Sequence, residues 1–328
     1  KKGGRVLILT NRMELLTETG GTLEGFNILF EPVKAGTIYP PSAKCIVAMA
    51  QTLRNRIDAK RYPKAWANFF KSFSLVIIDE CHIQDYNIFL DNIDIFQKDI
   101  TVLGFSATPD APHLANYYTA LVHGPTTQEL IDKGYLVKDR YIYAKSINTK
   151  GLRKNSRGDD YAESDQYMRF NKRELYGDAI KAWKQYAQGK MTLVFCVNIQ
   201  HAVNTCRQYN EAGIKAKFLT SEISRPQYPK KPTEANLSRY NKKLEEYNNW
   251  LDGYKKFSGD RDEVLRQWKN REFDVLINAA ILTTGFNCPA IEVIQVLRAT
   301  FSLPLWLQMI GRGSRTYEGK EYFTIIDH

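Results

Sequence analysis

Short apolar runs recur along the chain, each followed by turn residues and then by a longer amphipathic stretch. The runs occupy residues 5–10, 45–50, 75–78, 101–105, 192–197, 215–219, 274–278, 292–297 and 322–326. Their hydrophobicity is nearly continuous rather than alternating, which is typical of parallel strands that helices cover on both faces. Because strands and helices alternate throughout, the pattern predicts an α/β fold.

The strand–helix rhythm is interrupted between about residues 139 and 177. Residues 148–160 are rich in Lys, Arg, Asn, Gly and Asp and carry little apolar pattern. The chain of 328 residues is long enough for two domains, each with its own buried core. We therefore predict a first domain over residues 1–140 and a second over residues 141–328.

A second irregularity covers about residues 222–258 and is predicted to be a helical insertion in the second domain. After a proline-broken stretch, apolar and aromatic side chains recur at steps of three and four, which places them along one face of a helix over residues 233–255. They are Leu237, Tyr240, Leu244, Tyr247, Leu251 and Tyr254. This stripe is expected to pack on the second domain. The lysines of the other face, at positions 242, 243, 255 and 256, suit either contact with nucleic acid or a solvated surface.

Charge and composition narrow the class of protein. A net charge of +10 favours a polyanionic partner, although solvated lysines alone also give a basic balance. No apolar run approaches the roughly 20 residues that span a bilayer, so a membrane protein is not expected. The five cysteines are scattered without a C-x-x-C pair, which suits reduced thiols in a cytoplasmic protein better than disulfides or a zinc site.

The strongest chemical signal is the sequence Leu-Val-Ile-Ile-Asp-Glu-Cys-His at residues 75–82. An apolar strand ends there and presents Asp79 and Glu80 at its carboxyl end, where open α/β sheets bind ligands. In a nucleotide-driven motor the first carboxylate can hold Mg²⁺ and the second can activate the attacking water. The alternative is a strand that simply ends in acidic turn residues.

Two further segments carry candidate chemistry. Residues 104–109, Gly-Phe-Ser-Ala-Thr-Pro, form a strand end followed by a turn that bears small hydroxyl groups. Residues 307–315, Leu-Gln-Met-Ile-Gly-Arg-Gly-Ser-Arg, place Arg312 and Arg315 three apart on a predicted helix. A guanidinium stays charged, so this pair suits stabilisation of a transferring phosphoryl group. The alternative is a solvated basic helix face.

Taken together and in this order, the three segments resemble motifs II, III and VI of the superfamily 2 helicases, of the DEAD/DEAH type. Residues 5–12, 46–53, 192–197 and 282–289 are similar to motifs Ia, Ib, IV and V. Within the superfamily, Gly-Tyr-Leu-Val at residues 134–137 and the stretch 151–161 resemble the phage and bacterial recombination helicases and restriction-enzyme translocases. The resemblance implies two tandem RecA-like domains, each a mainly parallel sheet covered by helices, with a nucleotide site in the cleft between them.

The resemblance also implies roles for individual residues. Asp79 is expected to coordinate Mg²⁺ and Glu80 to activate water, while Arg312 and Arg315 reach the γ-phosphate of ATP, Arg315 as the arginine finger. The other nucleotide-cleft residues are Gly285 and Gln308. The residues that couple hydrolysis to domain closure are His82, Ser106 and Thr108. The residues near the nucleic-acid backbone are Asn11, Arg12, Gln51, Asn198, Thr283 and Thr284.

Two departures from the family pattern are visible. Many relatives carry aspartate where this chain has Asn287. No G-x-x-x-x-G-K-[S/T] phosphate loop is found, and in the family that loop precedes motif Ia, with which this sequence begins. We therefore expect the sequence to be truncated and to hydrolyse ATP barely or not at all by itself. The parent is expected to be an ATP- and Mg²⁺-dependent DNA helicase or translocase; an RNA helicase and a non-catalytic nucleic-acid-binding module are the alternatives.

Overall fold

The computed structural model of the protein describes residues 4–57, 64–83, 86–107, 109, 111–144, 148–156, 158–279 and 287–328. The chain forms two compact units, and the division between them falls after Gly124. Each unit is built around its own parallel β-sheet with helices packed on it. The fold is therefore two tandem RecA-like α/β domains, as predicted.

The first unit holds a five-stranded sheet in the order β2-β3-β1-β4-β5, and all its pairings are parallel. Its strands are β1 (Arg5–Thr10), β2 (Phe30–Val33), β3 (Cys45–Met49), β4 (Phe73–Asp79) and β5 (Thr101–Phe105). Its helices are α1 (Met13–Gly25), α2 (Ala50–Arg54), α3 (Lys64–Lys71) and α4 (Asn87–Asp91), with short 3₁₀ turns at Ile93–Ile95 and Pro112–Asn116.

One hydrophobic cluster forms the core of the first unit and lies on one face of its sheet. Leu7 and Leu9 of β1 and Ile78 of β4 are fully buried in it, together with the aromatic side chains of α3. The residues that alternate with them, Ile8 and Ile77, are only half-buried. At the edge of the sheet, β5 is mostly exposed, which is unusual for an apolar strand of a parallel sheet.

The second unit holds a six-stranded parallel sheet in the order β6-β11-β10-β7-β9-β8. Its strands are β6 (Lys138–Tyr143), β7 (Thr192–Cys196), β8 (Ala216–Leu219), β9 (Val275–Asn278), β10 (Val293–Leu297) and β11 (Tyr322–Asp327). Its helices are α5 (Thr127–Asp132), α6 (Glu163–Phe170), α7 (Arg173–Tyr186), α8 (Ile199–Glu211), α9 (Glu234–Phe257), α10 (Arg261–Lys269) and α11 (Leu303–Ile310).

Both faces of the inner strands of the second sheet are buried. Alternate residues of the same strand enter different clusters: Val194 of β7 packs with α7 and α8, whereas Phe195 packs with α10 and α11. The same alternation separates Val293 from Ile294 on β10. A strand buried on both faces needs apolar side chains at every position, which explains the continuous apolar runs in this half of the sequence.

The structure differs from the sequence prediction at the domain division and at two strands. β6 pairs with β11, so residues 125–140, which we had assigned to the first domain, belong to the second unit. The apolar pattern missed β2 and β6 because each lies at a sheet edge and pairs with a single neighbour. Edge strands need less apolar surface, and β6 reads Lys-Asp-Arg-Tyr-Ile-Tyr.

The helix predicted over residues 233–255 is present as α9. It begins after the N-cap Thr233, whose side chain accepts a hydrogen bond from Asn236 N. Only the second half of its apolar stripe packs on the domain core, through Tyr247, Leu251 and Tyr254, joined there by Trp250, which the sequence pattern had not included. The expectation that all six stripe residues pack on the second domain's core was therefore too broad.

A glycine explains how closely α9 approaches its neighbours. A Cβ atom at Gly253 would lie 2.6 Å from Cγ1 of Val203 on α8 and 3.3 Å from the ring of Phe218 on β8. These separations are too short for any side chain, so the absence of one lets α9 lie directly against α8 and β8. The insertion is thus anchored at its C-terminal half.

Candidate functional site

The candidate residues of the first unit gather along one edge of its sheet. Because the strands are parallel and in register, with Thr10 beside Met49 and Asp79 beside Phe105, their carboxyl ends share that edge. The residues that follow those ends are Asn11 and Arg12 after β1, Gln51 after β3, Glu80 and His82 after β4, and Ser106 after β5. The topology therefore brings every described candidate of this unit to one side.

At the centre of this edge, two sequence motifs are joined by short polar contacts. Nδ1 of His82 lies 2.9 Å from Oγ of Ser106 and 3.4 Å from Oε2 of Glu80. Oδ1 of Asp79 accepts a hydrogen bond of 3.0 Å from the backbone N–H of Glu80. The backbone N–H of Cys81 donates to the carbonyl of Phe105, which ties the turn after β4 to the end of β5. Carboxylates, imidazole and hydroxyl thus form one connected group.

The backbone and the ionisation state of this group are both unusual. Glu80 has a φ of 52°, in the left-handed region that side-chain-bearing residues seldom adopt and that clusters at functional sites. Burial lowers the pKa of His82, the nearby His113 lowers it further, and Asp79 opposes the shift. Burial therefore favours the neutral form of this imidazole.

The carboxylates fit a magnesium ion held partly by a substrate. The hydrogen bond from Glu80 N engages Oδ1 of Asp79, so Oδ2 is the oxygen that a cation can take. Among the described residues, no cluster of three or more His, Cys, Asp or Glu side chains is arranged to hold a metal ion. One carboxylate with water and phosphate oxygens is the usual protein environment of Mg²⁺, whereas a multi-residue cage is typical of other metals.

In the second unit, the segment with the two candidate arginines is not a continuous helix, contrary to the prediction. Helix α11 carries Gln308 and ends at Ile310, and Arg312 and Arg315 lie beyond it in a turn and an extended segment. A Cβ atom at Gly313 would lie 2.2 Å from the ring of Phe323 on β11, so only glycine allows this path.

The extended segment around Arg315 is held by the residues that precede β6. Leu136 forms an antiparallel bridge with Arg315, and the backbone N–H of Val137 donates to the carbonyl of Ser314 at 2.8 Å. The Gly-Tyr-Leu-Val stretch and the arginine segment, which both contributed to the family resemblance, therefore meet in space. Nη1 of Arg315 also donates to Oδ1 of Asn287, the position where relatives carry aspartate.

Asn198, predicted near nucleic acid, has a structural contact in the second unit. It is the N-cap of α8, and its Oδ1 accepts a hydrogen bond of 2.9 Å from His201 N. His201 is buried, and its Nδ1 accepts a hydrogen bond from Val197 N, which requires the neutral ring. Burial lowers the pKa of His201 to about 3. The four remaining candidates, Thr108, Thr283, Thr284 and Gly285, lie outside the described residues.

A buried ion pair that the sequence does not suggest lies at the carboxyl-terminal edge of the second sheet, the edge at which Asn198 also lies. Nη2 of Arg298, the first residue after β10, is 2.8 Å from Oδ2 of Asp160, and both side chains are nearly inaccessible. Oδ1 of Asp160 also accepts a hydrogen bond from Phe301 N, just before α11 begins. An arginine directly after an apolar strand was the available signal, but its partner is 138 residues away.

Comparison with protein families identifies both units. The family described as "Type III restriction enzyme, res subunit" matches residues 1–111, and the helicase conserved C-terminal domain matches residues 171–317. The two matches span all three of the motifs on which the resemblance rests. The chain therefore belongs to the superfamily 2 helicases related to restriction enzymes.

Individual relatives cover the whole chain. A Saccharomyces cerevisiae protein named as the ATP-dependent helicase IRC3 is 28% identical over 335 residues, which is 98% of this chain and 42% of that protein. A 51.5 kDa protein of a Lactococcus phage is 24% identical, and the match spans 100% of this chain and 60% of the phage protein. The chain thus spans about half the length of these relatives.

Solved structures share the fold. The ATP-dependent type ISP restriction-modification enzyme LlaBIII, bound to DNA, matches with a TM-score of 0.59 and 14% identity over 100% of this chain and 24% of its own. A single-substitution variant of Saccharomyces cerevisiae Dbp5, bound to RNA and ADP BeF3, matches with a TM-score of 0.59 and 13% identity over 99% of this chain and 71% of its own. In the part of this chain that the structure describes, no helix has the length and hydrophobicity to span a membrane.

Proposed function

We propose that this chain is the motor core of an ATP-dependent DNA helicase or translocase, which couples ATP hydrolysis to movement along nucleic acid or its remodelling. The observation that carries the proposal is the connected group of Asp79, Glu80, His82 and Ser106 at one sheet edge. Hydrolysis of a nucleoside triphosphate needs a carboxylate that holds a cation and a second one that positions water. This edge offers both.

In this proposal, Asp79 would hold Mg²⁺, and Glu80 orients the attacking water and takes its proton. When bound, the ion would neutralise charge on the phosphate oxygens of ATP. His82 and Ser106 hold the Glu80 carboxylate in place, since Nδ1 of His82 lies within 3.4 Å of it and is itself fixed by Ser106. Arg312 and Arg315 are proposed to stabilise the charge that develops during transfer, and Gln308 is proposed to lie near the nucleotide.

Turnover by the full-length protein tests the arginine assignment. Arg315→Ala is expected to lower the turnover number on the order of 10³-fold while ATP affinity changes little, because an arginine finger acts mainly in the transition state. Arg153→Ala, which removes an exposed arginine from the same unit, is the matched control and should leave turnover unchanged. Loss of ATP binding with unchanged turnover would instead assign Arg315 to ground-state binding.

DNA is the proposed polyanion because the first unit matches a restriction-enzyme family. Contacts from Asn11, Arg12, Gln51, Asn198 and the threonines at 283 and 284 to the phosphate backbone would give little sequence preference. A few such contacts predict a log–log salt slope of roughly −3 to −6. Fluorescence anisotropy at several salt concentrations measures the slope, and an affinity indifferent to salt contradicts the proposal. Competition between matched DNA and RNA strands decides between DNA and RNA.

We further propose that the protein acts in the cytoplasm of a bacterial or phage-infected cell. The support is the similarity to the Lactococcus phage protein over the entire chain. Fractionation of cells that express the full-length protein tests this, and recovery with the membranes would contradict it.

A further inference from the structure

A groove of about 470 Å³ lies between helix α9 and the extended segment that precedes it. One wall is formed by residues 223–227 and Pro229, and the other by positions 236, 239, 240, 243 and 246 of the helix, which share one face. Both walls belong to the insertion at residues 222–258, and none of the helicase motifs contributes to them. The groove therefore has no role in the function proposed above.

The groove is cationic. Arg225 comes from the extended wall and Arg239 and Lys243 from the helix; all three are exposed, and Glu246 is the one carboxylate among the lining residues. Within the described residues, none of these three cations lies within 4.0 Å of a carboxylate. The next turns of α9 differ, since Lys256 pairs with Asp252 at 2.9 Å. Cations that form no ion pair remain available to an external anion.

An exposed aromatic ring packs on one of the lining residues of the groove. Tyr228 is 62% exposed, and its ring packs edge to face on Tyr240 with centroids 5.3 Å apart. The contact holds the ring of Tyr228 without burying it. Pro226 and Pro229, which flank it in sequence, restrict the backbone of this wall. A nucleobase can stack on a fixed, accessible ring of this kind while the phosphates of the strand meet the cations of the groove.

We propose that this groove binds a single nucleic-acid strand, with its phosphates on Arg225, Arg239 and Lys243 and a base on Tyr228. The choice of a nucleic acid among phosphate polymers rests on the proposed function. The site itself is separate from the motif residues. It would give the motor an additional grip on the strand, formed by the insertion.

The decisive experiment compares two double charge reversals in the full-length protein. Arg225→Glu with Arg239→Glu alters the groove, whereas Arg173→Glu with Lys181→Glu makes the same charge change at exposed positions of α7, outside the lining. Binding of fluorescein-labelled single-stranded oligo(dT) is measured by anisotropy over a range of salt concentrations. The groove variant should bind at least about 10-fold more weakly, with a salt slope shallower by roughly 1.4, about 0.7 per lost phosphate contact. The control variant should stay within about 2-fold of wild type.

Tyr228 gives an independent readout that carries no change of charge. Tyr228→Ala should weaken binding by roughly 5- to 10-fold or more, whereas Tyr228→Phe should retain it, because the ring rather than the hydroxyl stacks. Repeating the binding measurement with labelled oligo(rU) shows whether the groove prefers DNA or RNA. Equal losses in the groove and control variants, or unchanged affinity in both the charge and Tyr228→Ala variants, would overturn the proposal.

The same variants separate this proposal from the function of the motor. Melting curves should be unchanged, since every substituted side chain is exposed or lies on the groove surface. ATP turnover at saturating DNA should also match wild type, because no motif residue is altered. A wild-type protein without nucleic-acid-stimulated ATPase would refute the motor function, whereas a normal ATPase with unaltered strand affinity in the groove variants would refute only the groove.

Discussion

The two units differ in how completely their sheets are buried, although their strands have similar apolar sequences. In the second unit, successive residues of β7 and β10 enter clusters on opposite faces and all are inaccessible. In the first unit, one face of β1 and β4 carries the core, the other is half-buried, and β5 is largely open. A continuous apolar run therefore identifies a parallel strand but does not reveal how much of it is covered.

The largest expected effect is a difference in folding stability between matched substitutions in the two sheets. Ile277→Asp places a carboxylate on a fully buried position of β9 and should cost roughly 4 kcal/mol or more, through lost burial and an unpaired buried charge. Ile77→Asp on half-buried β4 should cost clearly less. Denaturant unfolding, with hydrogen exchange assigning each transition to its unit, measures both. Equal losses of stability would remove the distinction between the sheets.

The next effect concerns buried charge in the second unit. Asp160→Ala leaves the Arg298 guanidinium in a site that already lowers its pKa through burial, so a loss of about 3–5 kcal/mol is expected. The exposed pair of Asp252 and Lys256, in the same unit, is the matched control, and Asp252→Ala should leave the unfolding midpoint near that of wild type. Similar midpoints for the two variants would mean that Asp160 contributes no more than a surface carboxylate.

A smaller effect should distinguish the two halves of α9. Leu251 packs against the core of the second unit, so Leu251→Asp should cost roughly 2 kcal/mol. Leu244 is half-buried and lies outside the core clusters, so Leu244→Asp should cost less. Thermal unfolding of both variants measures the difference. If Leu244→Asp were the more damaging substitution, the packing described for the N-terminal half of α9 would be wrong.

The smallest expected effect is the pH dependence from His201. Its folded-state pKa of about 3 lies below the ordinary 6.5, so the unfolded chain binds more protons in this window. Stability is fully present above pH 6.5 and falls by about 1.4 kcal/mol per pH unit well below it, until about pH 3. The loss at pH 5.5, relative to high pH, is therefore about 1.4 kcal/mol. His201→Asn, whose Oδ1 can accept from Val197 N, should weaken this dependence; identical urea midpoints against pH would contradict the assignment.

The sequence was sufficient for the class of fold because local apolar pattern and parallel topology are coupled. Once β1, β3, β4 and β5 were predicted as parallel strands, their carboxyl ends had to share an edge, which placed Asp79 and Ser106 on the same side. The edge strand β6 was not predicted because its residues are mostly polar. The non-helical path of residues 311–315 could not be predicted, because the sequence does not show that the ring of Phe323 packs against Gly313.

Long-range polar contacts were beyond the sequence for a different reason. The pairing of Asp160 with Arg298 joins residues 138 positions apart, and neither local propensity nor spacing connects them. The left-handed backbone of Glu80 is similar, because no glycine or asparagine marks that position. Such features depend on the assembled tertiary structure. Sequence motifs therefore identified which residues carry the chemistry better than how those residues are held.

The most direct test of the central claim is the turnover of ATP by the full-length protein when Glu80 is replaced by Gln. The substitution keeps the size of the side chain and removes the carboxylate that is proposed to take the proton from water. Our account predicts that DNA-stimulated ATP turnover falls by about 10²–10⁴-fold while ATP affinity stays within a few-fold of wild type. Turnover within a few-fold of wild type would contradict the assignment of this sheet edge as the hydrolytic site.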